Sequence, residues 1–282
     1  MRFSKRFVLL FASLIFQTSI ALTQTAMPTA NILSRVTMVE SRYGRGSTFS
    51  IDVDQREYWI TAKHILTGAT QPPYGSLTSK LASLNILNPG FQGDQWLTMN
   101  FSVIDTGNDI DIVILAPPEP LLKNPLPNEP ADSGGIFLGG DCEFLGFPYG
   151  GGWRVSFDKG QSFWMPFVKH CNVSAMPSLA PRIWVLDGIN NPGFSGGPVI
   201  FKTGADQRIL AVVSGYHTEP AEIVSSAAAK KAPVKKPNEP KKPEHLRVNV
   251  NSGFIIAYDI AYAMDAIKAN PIGPLRKPSG SR

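Results

Sequence analysis

Twelve short runs rich in β-branched and aromatic residues, split six and six by a proline-rich link, restrict this chain to a few architectures. Residues 36–39, 48–53, 58–61, 81–87, 96–104 and 112–115 form the first group. Pro117, Pro118 and Pro120 open the link, which runs to about Pro130. Residues 142–145, 165–173, 183–186, 198–201, 209–213 and 253–258 form the second group. Runs this short, separated by polar turns, read as antiparallel strands, and 48–53 alternates polar and apolar as a half-buried strand does. Two sets of six predict an all-β fold of two six-stranded antiparallel barrels, over residues 28–120 and 121–270. A short C-terminal helix is expected after Asp259, with Ile260, Met264 and Ile267 on one face and Asn270-Pro271 as its stop. Residues 271–282 then read as a flexible tail.

A formal charge of +5 invites a nucleic-acid reading, but its location argues against one. Arg2, Lys5 and Arg6 lie at the head of the chain, and Lys230, Lys231, Lys235, Lys236, Lys241 and Lys242 lie in one Pro-rich stretch. Without those nine the remainder is mildly acidic, so no nucleic-acid partner is expected. Residues 218–247, rich in Ala, Lys, Pro and Glu, read as a flexible insertion offering a weak, salt-screened polyanion contact. Residues 1–21 read as a secretory signal: a basic start, an apolar stretch from Phe7 to Phe16, and Ser19-Ile20-Ala21 as a small-x-small cleavage site. That apolar stretch is short for a span of about 20 residues, so a secreted or periplasmic protein without stable membrane insertion is expected. Cys142 and Cys171 fall in successive strands of the second group, where an oxidising compartment would allow a disulfide. Two cysteines without clustered histidines make a poor zinc site, and neither metal nor cofactor is expected.

The chemistry concentrates in Asn191-Pro192-Gly193-Phe194-Ser195-Gly196-Gly197-Pro198. A serine on a tight glycine-rich turn exposes its hydroxyl, and the amides of Gly193 and Ser195 could converge where an oxyanion forms. A glycine-rich hairpin turn without chemistry is the alternative for this segment taken alone.

This segment resembles the nucleophile motif of the trypsin-like serine proteases, and Asp187 to Pro198 is similar to the bacterial branch that includes the HtrA proteases. Thr61-Ala62-Lys63-His64 resembles the family's Thr-Ala-x-His, Asp111-Ile112-Val113-Ile114-Leu115 its acid-bearing strand, and Gly146-Phe147-Pro148 its Gly-x-Pro turn. The order His, Asp, Ser is that of this family and not of subtilisins or α/β-hydrolases. The resemblance implies the trypsin-like fold and a serine endopeptidase acting on protein or peptide substrates through His64, Asp111 and Ser195, with an oxyanion hole from Gly193 and Ser195. Asp105 and Asp109 lie near Asp111, and the motif register selects Asp111.

Ser214-Gly215-Tyr216 resembles the family's Ser-x-Gly segment, which lines the primary specificity pocket and pairs with substrate backbone, and departs from it at Gly215 and Tyr216. Ile189, six residues before the nucleophile, matches the position that carries Asp in trypsin, so a counter-ion for Lys or Arg is missing. Phe194 stands where trypsin has an Asp that pairs with a newly released amino group, which implies activity without a new N-terminus beyond signal removal. No PDZ-like segment follows the barrels. A catalytically inactive, trypsin-like peptide-binding module is the competing reading.

Overall fold

The structure, a computed structural model, describes residues 28–77, 79–123, 125–156, 162–177, 179–223 and 247–276. Residues 1–21, expected as a signal, and most of the Lys-rich segment lie outside the described residues. Strands β1 (Val36–Ser41), β2 (Gly44–Val53), β3 (Arg56–Thr61), β4 (Leu81–Leu87), β5 (Trp96–Asp105) and β6 (Val113–Ala116) close one antiparallel barrel in the order β1-β2-β3-β6-β5-β4. A second barrel closes from β7 (Asp141–Gly146), β10 (Phe167–Ala175), β11 (Ile183–Asp187), β12 (Pro198–Thr203), β13 (Asp206–Glu222) and β14 (Arg247–Asp259). Its order, β7-β10-β11-β14-β13-β12, repeats that of the first. Between β7 and β10, β8 (Trp153–Ser156) and β9 (Ser162–Met165) form a separate two-stranded ribbon. Pro166 divides the run expected over 165–173, because proline cannot donate to a ladder.

Three apolar clusters hold the molecule together. Val39, Trp59, Leu84, Ile86, Phe101, Val113 and Leu115 fill the first barrel. Phe144, Trp184, Leu186, Phe194, Val199, Leu210 and Ile255 are among those that fill the second. Phe49, Ile51, Tyr58, Ile60 and Ile114 pack instead with Leu145, Ile200, Ile209, Val212 and Tyr258 from the other barrel. The apolar half of the 48–53 alternation thus faces the partner barrel, and its polar half is buried rather than solvated. Thr48 Oγ1 donates to the Ile60 carbonyl at 2.9 Å, which satisfies a hydroxyl that would otherwise be costly to bury. The seam between the barrels is therefore a packed core with the two glycine-rich and histidine-bearing segments along its edge.

Helices are few. Thr29 caps α1 (Ala30–Arg35) by accepting the Ile32 amide at 3.1 Å, and α2 (His64–Thr67) is a single turn. In α3 (Ala261–Ala269), Ile260 occupies the cap position and the Asp259 carboxylate accepts the Ala261 amide at 2.8 Å. The α3 residue Ile267, with Ile260 before it, is fully buried in the seam cluster.

Two expected boundaries move. β13 and β14 stay paired out to Glu222 and Arg247, so the ends of the segment expected as an insertion at 218–247 are strand. Alternation of Val248 and Val250 across from Ala221 and Glu219 sustains the ladder there. Residues 271–276 are not a loose tail. Arg276 donates to Asp52 at 2.7 Å and to buried Glu57 at 2.6 Å, and the Pro274 carbonyl accepts the Glu57 amide at 3.1 Å. A charge-assisted network of this kind fixes a chain end that composition alone marks as mobile.

Candidate active site

His64 opens α2 directly after β3, and Asp111 precedes β6, the neighbour of β3 in the first barrel. Ladder pairing of Thr61 with Val113 therefore brings the two segments together. Asp111 is fully buried; its Oδ1 accepts the His64 amide at 2.8 Å and its Oδ2 lies 2.7 Å from His64 Nδ1. Oδ2 also accepts the Ser214 hydroxyl at 2.5 Å. Of the three neighbouring acids, Asp109 is exposed and Asp105 pairs with Lys63, so only Asp111 reaches the histidine.

The second barrel supplies the serine. Phe194 is completely buried in that barrel's core, edge-on to Phe144 with ring centroids 4.8 Å apart, and it pins the loop between β11 and β12. The carbonyls from Pro192 to Ser195 are all occupied. Pro192 accepts the Tyr149 amide at 2.6 Å, Gly193 accepts the Ser47 hydroxyl at 2.7 Å, Phe194 accepts the Gly197 amide at 2.8 Å and Ser195 accepts the Ser47 amide at 2.8 Å. The amides of Phe194, Gly196 and Gly197 all donate internally. Among the described residues, those of Gly193 and Ser195 donate to nothing. A peptide's N–H and C=O point in opposite directions. Anchoring the Pro192 carbonyl on Tyr149 therefore turns the Gly193 amide away from the 148–150 turn.

Glycine is required here for room as well as for conformation. Gly193 has φ +103°, and a Cβ there would lie 2.3 Å from the Phe147 carbonyl oxygen. The Ser195 hydroxyl donates to the Ser214 carbonyl at 3.0 Å and makes no hydrogen bond with the His64 ring. Ser214 thus touches both Ser195 and Asp111 and joins the two halves of the site.

The other substrate-binding residues are less uniform. Gly215 and Tyr216 are half-buried on β13, facing Ile256 and Ile255 of β14. Ile189 is 60% exposed and does not form a closed pocket floor. The buried side chain of this stretch is the next one, Asn190, whose Nδ2 donates to the Gly215 carbonyl at 3.2 Å.

Sequence reasoning missed Ser47 and Lys169. The Ser47 hydroxyl donates to Gly193 and accepts the Phe147 amide at 3.0 Å, which locks both loops of the second barrel onto β2. Lys169 Nζ donates to the Ile189 carbonyl and to Asn191 Oδ1, and burial pushes its ammonium below the usual lysine range. A serine one place before an alternating run was the available signal for Ser47; none pointed to Lys169. Cys142 and Cys171 face each other across β7 and β10 as buried free thiols with Sγ atoms 2.7 Å apart.

No protein family's sequence profile matches this chain, and no curated protein matches it by sequence. Solved structures do match by fold. An HtrA-type protease, AlgW, solved with a tripeptide, superposes with a TM-score of 0.50 at 15% identity over 85% of this chain. The fold is that of the trypsin-like serine proteases. The chain spans 60% of that AlgW chain's length. Rv3671c from M. tuberculosis in an inactive form aligns over 89% of this chain and 98% of its own at 15% identity, with a TM-score of 0.49. Within the trypsin-like fold, the loop between β11 and β12 and the turn after β3 meet at the edge of the seam between the barrels.

Proposed function

We propose that this chain is an exported serine endopeptidase that cleaves peptide bonds through an acyl-enzyme. Ser195 is the nucleophile, His64 the general base and then the general acid, and Asp111 the group that orients and stabilises the imidazole. The observation that carries the reading is the pair of unpartnered amides at Gly193 and Ser195, in a turn whose Pro192 to Ser195 carbonyls and Phe194, Gly196 and Gly197 amides are occupied.

The steps follow from these contacts. The Ser195 hydroxyl turns from the Ser214 carbonyl toward the unoccupied imidazole nitrogen of His64, which takes its proton as Oγ bonds to the substrate carbonyl carbon. The carbonyl π electrons move onto oxygen, where the two free amides receive the charge. His64 then returns the proton to the leaving amine as the C–N bond breaks, and water repeats the sequence on the ester. The two oxygens of Asp111 accept from the His64 amide, His64 Nδ1 and Ser214, which holds the ring in place and stabilises it when it carries the proton. The Ser214 carbonyl, released when Ser195 turns, becomes an acceptor for a substrate amide along Ser214-Gly215-Tyr216. Export rests on the pattern of residues 1–21, and no helix among the described residues is long and apolar enough to cross a membrane.

One observation favours the alternative of an inactive peptide-binding module: at rest Ser195 bonds to Ser214 and not to His64. A fluorophosphonate probe separates the two. Attack by Ser195 Oγ on phosphorus with loss of fluoride is expected, with the adduct mapped to Ser195 and abolished in His64→Ala. Folded protein that takes no label at Ser195 supports the binding module instead.

A further inference from the structure

Lys63 is a charged side chain with no role in the chemistry above, yet it is completely buried. Its backbone immediately precedes His64, and its carbonyl accepts the Leu66 amide at 2.8 Å to start α2. The side chain runs the other way. Its ammonium is ion-paired with Asp105, the last residue of β5, and donates to the carbonyl of Gly107 in the loop that leads from there to Asp111. Asp105 in turn accepts the Leu77 and Gly107 amides, each at 3.2 Å. Thr106 closes the same loop by donating to the Ile112 carbonyl at 2.6 Å.

Burying an ammonium is expensive, and an apolar side chain of equal volume often serves stability as well or better. The best-attested use of a buried ion pair is to fix register. Here the register at stake is that of the His64 segment against the Asp111 loop. We infer that Lys63 and Asp105 form a positioning clamp that holds the histidine turn and the acid loop in the alignment the His64–Asp111 couple needs. The clamp rests on the serine-protease reading for its consequence in rate, but not for its consequence in geometry. Neither residue touches substrate; both act through the couple. Burial opposes the charge on Asp105, and the Lys63 hydrogen bond and charge outweigh it, holding the carboxyl below its usual range. The Asp105 carboxyl is therefore charged at neutral pH, as a clamp requires.

The test uses Lys63→Met, Asp105→Asn and the double variant of the mature chain. Two signals are read: the rate of fluorophosphonate labelling of Ser195, and the downfield proton resonance of the His64 Nδ1–H held by Asp111. Lys63→Met is expected to keep its far-ultraviolet circular dichroism and to label about 10–100-fold more slowly, the usual cost of misplacing a catalytic group by a fraction of an ångström to an ångström. Its downfield resonance should broaden or vanish. The double variant should be no slower than Lys63→Met, because the second change acts on a tie already cut. A folded Lys63→Met that labels at the wild-type rate with a sharp resonance overturns the clamp, even if its melting temperature falls. If Lys63→Met does not fold, Asp105→Asn decides alone, and an unchanged resonance there overturns it. Should the wild type take no label at all, the enzyme reading fails while the resonance still judges the clamp.

Discussion

The two barrels wind six strands in the same order, yet they secure their halves of the site by different means. The first uses side-chain polar ties: Asp111 to His64, Lys63 to Asp105, and Arg276 across Asp52 and Glu57. The second uses close backbone approach and an apolar anchor, with Gly193, Gly196 and Gly197 packed where no Cβ fits and Phe194 sunk into the core. The difference tracks what each half must do. A base and its acid must present particular atoms to one another, which hydrogen bonds achieve directionally. On the proposed reading, an oxyanion site must leave two amides empty, which a rigid backbone turn achieves.

The largest expected effect lies on the polar side. Asp111→Asn leaves the fold intact but cannot hold the His64 tautomer, so labelling and peptide turnover should fall by about 10³–10⁴-fold. Asp109→Asn, at an exposed position two residues away, should stay within about twofold of wild type. The reverse outcome in kinetic assays would move the acid to Asp109 and break the first half of the comparison.

On the backbone-packed side, Gly196→Ala should be strongly destabilising. Gly196 has φ +85°, and a Cβ would lie 2.2 Å from the Ser47 carbonyl oxygen and 2.3 Å from Thr61 Oγ1. Left-handed strain of about 1–2 kcal/mol adds to an overpacking cost of about 1–3 kcal/mol. Gly204→Ala is the control, since Gly204 has φ +64° with nothing within 4 Å of the new Cβ, and it should lose only the strain. Urea denaturation of both variants gives the two values. Equal losses would mean that backbone approach at the nucleophile turn is not what holds it.

The same contrast explains what the sequence disclosed. Both barrels were legible because strand periodicity is local, and His64, Asp111 and Ser195 could be proposed as a set because each sits in a short motif. Ties between distant segments were not. Nothing near Lys63 in sequence marks Asp105 as its partner, and nothing near Ser47 marks the Gly193 carbonyl, 146 residues away. Position counting did not single out Asn190, which is buried while Ile189 is exposed. Composition misled at the C-terminus, where Arg276 is an anchor rather than part of a tail.

The smallest expected effect concerns a covalent tie in the second barrel. Cys142 and Cys171 are direct cross-strand partners, 2% and 1% exposed, in the same core as Phe194. Burial, aided by the facing Cys142, pushes the Cys171 thiol far up. A buried thiol of that kind reacts poorly, because the thiolate is the species that forms disulfides. We therefore propose that the bridge forms during folding in an oxidising compartment, before the core closes, and not afterwards. Chain-entropy reasoning gives up to about 3 kcal/mol for a loop of this length, and native strain reduces the gain. Exported protein, unfolded without reductant and treated with an alkylating agent, should take no label on either cysteine. Protein made in a reducing cytosol should take two, should unfold at lower urea, and should resist mild oxidation while folded. Two alkylated thiols in the exported protein would remove the bridge, leaving the second barrel without a covalent tie.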